Sequence, residues 1–466
     1  MVILARISWR NTTRKHRMAS DSGSPRHSPK TGNADAQLEA KPTPEPVPSR
    51  NTDSAAISHG DSQSHLSFAP NLIQTAAASK AANPPVSVGA RVKVTVDDVA
   101  FGGEGVGRCG EFVIFVPFVL LDEEVLVEVV EVKKRFARGR LVEVLRSSPH
   151  RVQPVCPHFM ECGGCQYQHM AYERQLEVKH RQVASLIERM GGFDPAVVST
   201  AIPCPAPYGY RNRIMIRTQW DKTEQRLKIG FLRSDSRLVV DIEQCAIAEP
   251  GINERIPAVR SNPPARGGIK VVLRVPPKDW VLPNDSFFQN NFHLLPRLVE
   301  LVADALKAGA TRYLIDAYCG VGFFSLELAS RVDRFVGMEL DLPAIRAARL
   351  NAENRQIHNG EFVVGRTEDL LPEWLLRFDP DRSCVILDPP RTGCAKEVLT
   401  SIASRKIHQI IYVSCHPATL SRDLRTLCDA GGYKLHQVTP LDMFPQTQHV
   451  ECVAVLRRPD AAGAGD

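Results

Sequence analysis

The stretch Tyr313–Val332, YLIDAYCGVGFFSLELASRV, decides how the second half of the chain folds. It opens with a short apolar run ending at Asp316, turns through Gly320 and Gly322, and continues in residues suited to a helix. A strand, a glycine turn and a helix form one βα unit of a parallel sheet, with the backbone open to a ligand where the helix begins. The same alternation recurs downstream in FVGMELDLPAIRAARLNAENR, EFVVGRTEDLL, CVILDPPRTG, KEVLTSIASR, QIIYVSC and TLSRDLRTLCDAG. Repeated βα units predict an α/β, doubly wound, Rossmann-like domain over residues 281–460. The closing runs YKLHQVTPLDMF and HVECVAVLRR have no helix between them, which predicts an antiparallel edge.

Upstream, three further regions differ in composition. Residues 1–86 are rich in Ser, Pro, Thr, Asn, Ala and charge, with clusters such as PTPEPVP, and read as a disordered basic tail. The tail holds 10 Lys and Arg against 6 Asp and Glu, so +4 of the chain's +6 resides there and net charge argues little for nucleic acid. Its opening MVILARISWRNTTRKHRM is Arg-rich without an acid, as in transit sequences, yet an unstructured extension or a misplaced start explains it better. Residues 87–147 show short alternating runs broken by glycines, which predicts a small antiparallel barrel of five strands. Its KKRFARGR (Lys133–Arg140) places five cations around one phenylalanine, a pattern for phosphate and base contact and equally for a solvated hairpin.

Residues 148–280 begin with three cysteines, Cys156, Cys162 and Cys165, in the pattern C-x5-C-G-G-C. Close thiolates around a flexible glycine pair imply a metal or cluster, and Cys245, from a distant segment, completes four ligands better than Cys204 does. Only one C-x2-C hook is present, which favours a 4Fe–4S cluster over zinc. A helix over AYERQLEVKHRQVASLIERMGG with a glycine C-cap follows, then a second sheet from YGYRNRIMIRTQW, RLKIGFLR and SRLVVDI, then a loop over 253–268. Arg211, Asn212 and Arg213 are candidates for RNA contact, although a structural role accounts for them as well. No stretch is long and apolar enough to span a membrane, and twelve cysteines are too sparse for a disulfide scaffold.

Within the Rossmann-like domain several residues carry chemistry. The first strand lacks the third glycine of a dinucleotide loop, having Ser325 there, and Glu339 ends the second strand 17 positions after Gly322. A nucleoside ligand without pyrophosphate fits, and S-adenosylmethionine has that shape. Asp388 precedes two prolines that end its strand. Cys415 ends another strand in IYVSCHPAT and, taken on its own, is better explained by core packing than by nucleophilic chemistry. Glu451 lies in an apolar strand, where desolvation raises a carboxyl pKa and suits proton transfer, unless it occupies an exposed alternate position.

Together SFFQ, DAYCGVG, LDPPRTG, VSCHPATLSRDL and DMFPQTQHVE resemble the uracil-5 RNA methyltransferases. The barrel resembles the TRAM RNA-binding domain, and the cysteine pattern resembles the iron–sulfur motif of the ribosomal-RNA branch. The resemblance implies an S-adenosylmethionine-dependent enzyme acting on carbon 5 of a uridine in RNA, 23S rRNA before tRNA, as a cytoplasmic monomer without membrane partners. It implies Cys415 as nucleophile and Glu451 as the base. Gln289, Tyr318, Glu339 and Asp388 match positions holding S-adenosylmethionine, with Asp369 in a weaker register, and Cys156, Cys162, Cys165 and Cys245 match cluster ligands. A non-catalytic RNA-binding factor is the competing expectation. The chain departs from the family in having His416 where Asn is usual, and Phe323 where relatives have a small or polar residue.

Overall fold

The computed structural model describes residues 85–264 and 268–459, so almost all of the 1–86 tail lies outside the described residues. Five strands open the described chain: β1 (Arg91–Val99), β2 (Glu104–Cys109), β3 (Phe112–Pro117), β4 (Glu124–Val132) and β5 (Phe136–Arg146). They close in the order β1-β2-β3-β5-β4, with β3 and β5 parallel and the other pairs antiparallel. Alternate residues Val94, Val96, Ile114, Val116, Val125, Val127 and Val129 fill the interior, as the period-two pattern requires. The hairpin cations are mostly neutralised: Lys133 pairs with Glu131, Arg138 with Glu104 and Arg140 with Glu128. Phe136 packs edge-on against Phe115 at 5.5 Å, so its ring serves the barrel. Among the described residues of the hairpin, Lys134 and Arg135 remain exposed without such a carboxylate partner.

A long helix, α1 (Tyr172–Leu186), leads into a π turn over Ile187–Gly191 that Gly192 ends in the left-handed conformation. The central sheet has four strands, β6 (Arg213–Asp221), β7 (Arg226–Leu232), β8 (Val239–Asp241) and β9 (Lys270–Arg274), ordered β8-β7-β6-β9. Two findings differ from expectation. The stretch predicted as a loop over 253–268 contains helix α3 (Ile256–Ser261) after α2 (Pro250–Asn253), because Ile252 and Ile256 bury their side chains against the sheet. Strand β9 is too short and too closely flanked by glycines and prolines to be read locally, and its pairing with β6 creates it.

The C-terminal domain begins with α4 (Leu295–Ala308) and then alternates β10 (Tyr313–Asp316), α5 (Phe323–Glu327), β11 (Arg334–Glu339), α6 (Leu342–Asn354), β12 (Gly360–Val364), α7 (Thr367–Arg377), β13 (Ser383–Leu387), α8 (Lys396–Arg405), β14 (Gln409–Ser414), α9 (Pro417–Gly431), β15 (Lys434–Leu441) and β16 (Glu451–Arg457). The sheet order is β12-β11-β10-β13-β14-β16-β15. Successive residues of one strand serve opposite faces: Ile410 and Tyr412 join the core under α8 and α9, whereas Ile411 and Val413 join the core under α4 and α6. A sheet covered on both faces explains why these strands read as continuous apolar runs. The closing pair is antiparallel, but the last strand does not form the edge. β16 inserts between β14 and β15, antiparallel to both, and β15 takes the edge. Among the described residues no helix is long and apolar enough to cross a membrane.

Candidate active site

The carboxyl ends of β10, β11, β13 and β14 converge with the amino end of β16, which runs the other way. Ser414 and Cys452 are the last paired residues of β14 and β16, so Cys415 and Glu451 are the next positions outward at the same end of the two strands, and the Glu451 charge reaches the Cys415 thiol. Antiparallel insertion of the final strand brings together two residues separated by a helix and a strand in sequence.

Local sequence shapes each of them. After β14 the chain turns at His416, whose ring Nδ1 accepts a hydrogen bond from the Thr419 N–H at 3.3 Å, and Pro417 starts α9. Proline at the first helical position needs no N–H partner, and a side-chain N-cap satisfies one that does. Cys415 is thereby held at the sheet rim, half-buried. Glu451 is 3 % exposed, which removes the alternative of a solvent-facing strand acid.

Burial pushes the Cys415 thiol up to about 12, and Glu451 and Asp388 push the same way, while the charge and hydrogen bonding of Arg391 oppose them. The Glu451 carboxyl is raised well above the usual range, first by burial and then by Asp388, again opposed by Arg391. Arg391 therefore favours the anionic form of both groups. It also donates to His449 Nε2 at 3.3 Å, and burial together with that guanidinium keeps His449 neutral. Sequence reasoning did not single out Arg391, although it directly follows the two prolines of LDPPRTG.

Around the neighbouring strand ends lies an excess of carboxylates. Asp388 is raised to about 8 by burial and by Asp316 and Glu339, and Asp316 is raised to about 6 by burial, with Glu339 adding to it. Ser325 donates its N–H and hydroxyl to Asp316 Oδ2, while buried Oδ1 has no protein partner. Asp316, also absent from the expected site, carries the same strand-tip signal as Asp388. Gln289 donates to Asp388 Oδ2 at 3.3 Å, and Asn212 Nδ2 donates to the Gln289 carbonyl at 2.8 Å. Asn212 is thus a buried brace for this segment, the structural role weighed for it. Glu339 accepts from the N–H groups of Gly320 and Asp341. Gly320, at φ +54, has open space where a Cβ would lie. A cradle of this kind, bordered by mutually repelling carboxylates and an orphaned carboxylate oxygen, fits a small cationic nucleoside such as S-adenosylmethionine.

Tyr318 is half-buried beside Cys394, close enough to Glu368 and Asp423 for their charges to raise its hydroxyl pKa. Asp369 does not join the group. It lies in the exposed first turn of α7 with its side chain 71 % exposed, 4.0 Å from Arg366. Its neighbour Glu368, bound to Arg366, is the acid of this turn whose charge reaches Tyr318, one helical position away from the expected register.

Cys156, Cys162, Cys165 and Cys245 come into one neighbourhood between the 156–165 loop and the central sheet. Burial raises Cys162 to about 11 and Cys165 to about 12, and Cys245 adds to both shifts. Cys156 adds to the shifts of Cys162 and Cys245, and Arg211 opposes all three. Four thiols beside a cation suit a thiolate-bound centre in chemistry. The arrangement is nevertheless not closed around a centre: among the described residues no three His, Cys, Asp or Glu side chains are set to hold a metal ion.

Known proteins share both halves of this architecture. A sequence model described as tRNA (Uracil-5-)-methyltransferase matches residues 268–459, and a TRAM domain model matches residues 85–142. A protein of Nostoc described as an uncharacterized RNA methyltransferase is 32% identical over 448 residues, covering 79% of this chain and 96% of its own. One from Oceanobacillus iheyensis, described in the same words, is 32% identical over 455 residues, covering 80% and 98%. The crystal structure of Pyrococcus abyssi tRNA (uracil-54, C5)-methyltransferase in complex with S-adenosyl-L-homocysteine superposes with a TM-score of 0.60 at 26% identity, over 78% of this chain and 100% of that one.

Proposed function

The chain belongs to the uracil-5 RNA methyltransferase family, and from that premise we propose that it methylates carbon 5 of an RNA uridine through a transient bond between Cys415 and carbon 6 of the base. The observation that carries this reading is the placement of Cys415 and Glu451 beside one another at the end of the β14–β16 ladder, with Arg391 acting on both.

In this mechanism the Cys415 thiolate adds to carbon 6, and the ring electrons move to give an enolate whose carbon 5 is nucleophilic. S-adenosylmethionine, when bound, supplies the electrophilic methyl group. Gln289, Tyr318, Glu339 and Asp388 would hold it, and Asp316 extends the negative surface beneath it. Glu451 then takes the proton from carbon 5, the double bond re-forms, and Cys415 leaves as thiolate. Arg391 helps both steps that require an anion, because a nearby cation favours thiolate and carboxylate alike. Burial of Glu451 makes its carboxylate, once formed, a stronger base than an exposed one.

The RNA proposed as substrate is 23S rRNA, on the combined resemblance of the barrel and the cysteine set. Likeness to the Pyrococcus tRNA (uracil-54, C5)-methyltransferase favours tRNA as a second reading. Incubation with S-adenosylmethionine and RNA from cells lacking the protein, followed by mass mapping of methylated uridines, decides between them. A 4Fe–4S cluster on Cys156, Cys162, Cys165 and Cys245 is proposed as a structural tie, with no electron needed in the reaction. Anaerobically purified protein should then show broad visible absorbance that Cys162→Ser abolishes. Colourless protein containing zinc refutes that assignment.

A further inference from the structure

The tip of the barrel reaches the catalytic rim. Between β1 and β2 the chain turns through Ala100–Gly103, and the Phe101 ring meets the His416 ring edge-on, 5.5 Å apart at 90°. His416 is the neighbour of Cys415 and the N-cap of α9, so its side chain has two structural duties at once.

The turn is fastened to the rest of the molecule. Gln182 of α1 donates to the carbonyls of Val99 and Ala100 at 3.0 and 2.9 Å. At Gly103, with φ +87, a Cβ would lie 3.0 Å from Gln166, whose Oε1 accepts from the N–H of Gln448 in the loop leading to Glu451. Phe101 itself packs against the core that contains Tyr412 of β14 and Leu420 of α9, the elements on either side of the Cys415 turn. The barrel tip therefore bears on both sides of the reacting pair, through His416 in the turn after β14 and, by way of Gln166, through Gln448 in the loop before β16.

We propose that Phe101 is a positioning residue for methyl transfer: its ring edge fixes the His416 ring as the cap of α9 and thereby sets the direction of the Cys415 thiol. An asparagine cap would need no such partner, because its short side chain reaches the backbone N–H without extending to the barrel. The histidine ring is larger, and the aromatic edge restricts where it can rest. This inference rests on Cys415 as the reacting thiol.

The test is a double-mutant cycle between positions 101 and 416, in the full chain. Phe101→Leu keeps apolar volume and removes the ring, so it guards against simple unfolding, which a thermal melt monitors. A small misplacement of reacting atoms is costly, so Phe101→Leu is expected to lower the single-turnover methylation rate about tenfold, with the KM for S-adenosylmethionine unchanged. Adding Phe101→Leu to His416→Asn should change the rate by less than about twofold, whatever rate His416→Asn has alone. The alkylation rate of Cys415 by iodoacetamide, read by peptide mass, should follow the same non-additive pattern. Alkylation does not require methyl transfer, so it separates failure of this inference from failure of the proposed reaction. Equal loss from Phe101→Leu in both backgrounds, or no effect on either readout, overturns the proposal.

Discussion

Cys415 and Glu451 lie one position beyond the Ser414–Cys452 pair that ends the β14–β16 ladder, near enough for the Glu451 charge to raise the Cys415 thiol pKa. Glu451 is the first residue of β16, and Cys415 directly follows the last residue of β14, so both are anchored by central strands of the sheet. Rigid support of this kind would keep the distance between them stable through the proposed two-step reaction.

Removing either group should stop turnover at a different point. Cys415→Ala is expected to abolish methylation while leaving S-adenosylmethionine binding intact by calorimetry. Glu451→Gln should slow turnover about 10²–10⁴-fold, the span for loss of a general base, and accumulate an RNA–protein adduct that survives denaturing electrophoresis. Absence of that adduct under conditions where wild-type protein turns over contradicts the order of steps.

Arg391 is the cation that opposes the upward shift of Cys415. Replacing it with Met removes stabilisation of the thiolate, moves the thiol pKa further up and lowers the thiolate fraction at any given pH. Alkylation of Cys415 near neutral pH should slow about tenfold, the effect of one pKa unit, and the rate-versus-pH curve should move to higher pH. A curve that stays in place, or moves to lower pH, excludes the role.

The acid cluster links stability to pH. Asp316 and Asp388 have folded pKa values raised to about 6 and about 8 from an ordinary 3.8. The folded state therefore binds more protons than the unfolded one between those values, and the stability from these groups is fully present below about pH 4 and lost as pH rises toward about 8. Other groups titrate too, so the contribution is read as the difference from Asp388→Asn: the wild-type melting temperature should fall relative to the variant over that range. S-adenosylmethionine should narrow the difference, since a cationic ligand favours the ionised acids.

Lys179 and Asp442 form a fully buried ion pair at 2.5 Å that joins α1 to the loop between β15 and β16. Burial pulls the Lys179 pKa down, and Asp442 resists. Lys179→Met strands a buried carboxylate and should cost about 3–5 kcal/mol in denaturant unfolding, whereas Lys179→Met with Asp442→Leu should recover most of it. Equal losses in the single and double variants reject the pair as the cause.

How much was legible beforehand follows from what each feature depends on. The βα alternation, the five-stranded barrel and the strand-tip residues Cys415, Glu339 and Asp388 follow from local periodicity, glycine turns and prolines, all of which act over a few residues. The insertion of β16, the strand β9 and the placement of Glu368 rather than Asp369 depend on pairing and helix orientation between distant segments. Arg391 could have been found from LDPPRTG, but its action on both Cys415 and Glu451 emerges only when three strand ends meet. The sequence by itself determined the fold class and which groups can react. Tertiary structure decided that Cys415 lies beside Glu451, that Phe101 reaches His416, and that the four cysteines gather without closing. Charge, burial and contact are properties of neighbours in space, and those neighbours are set by sheet order.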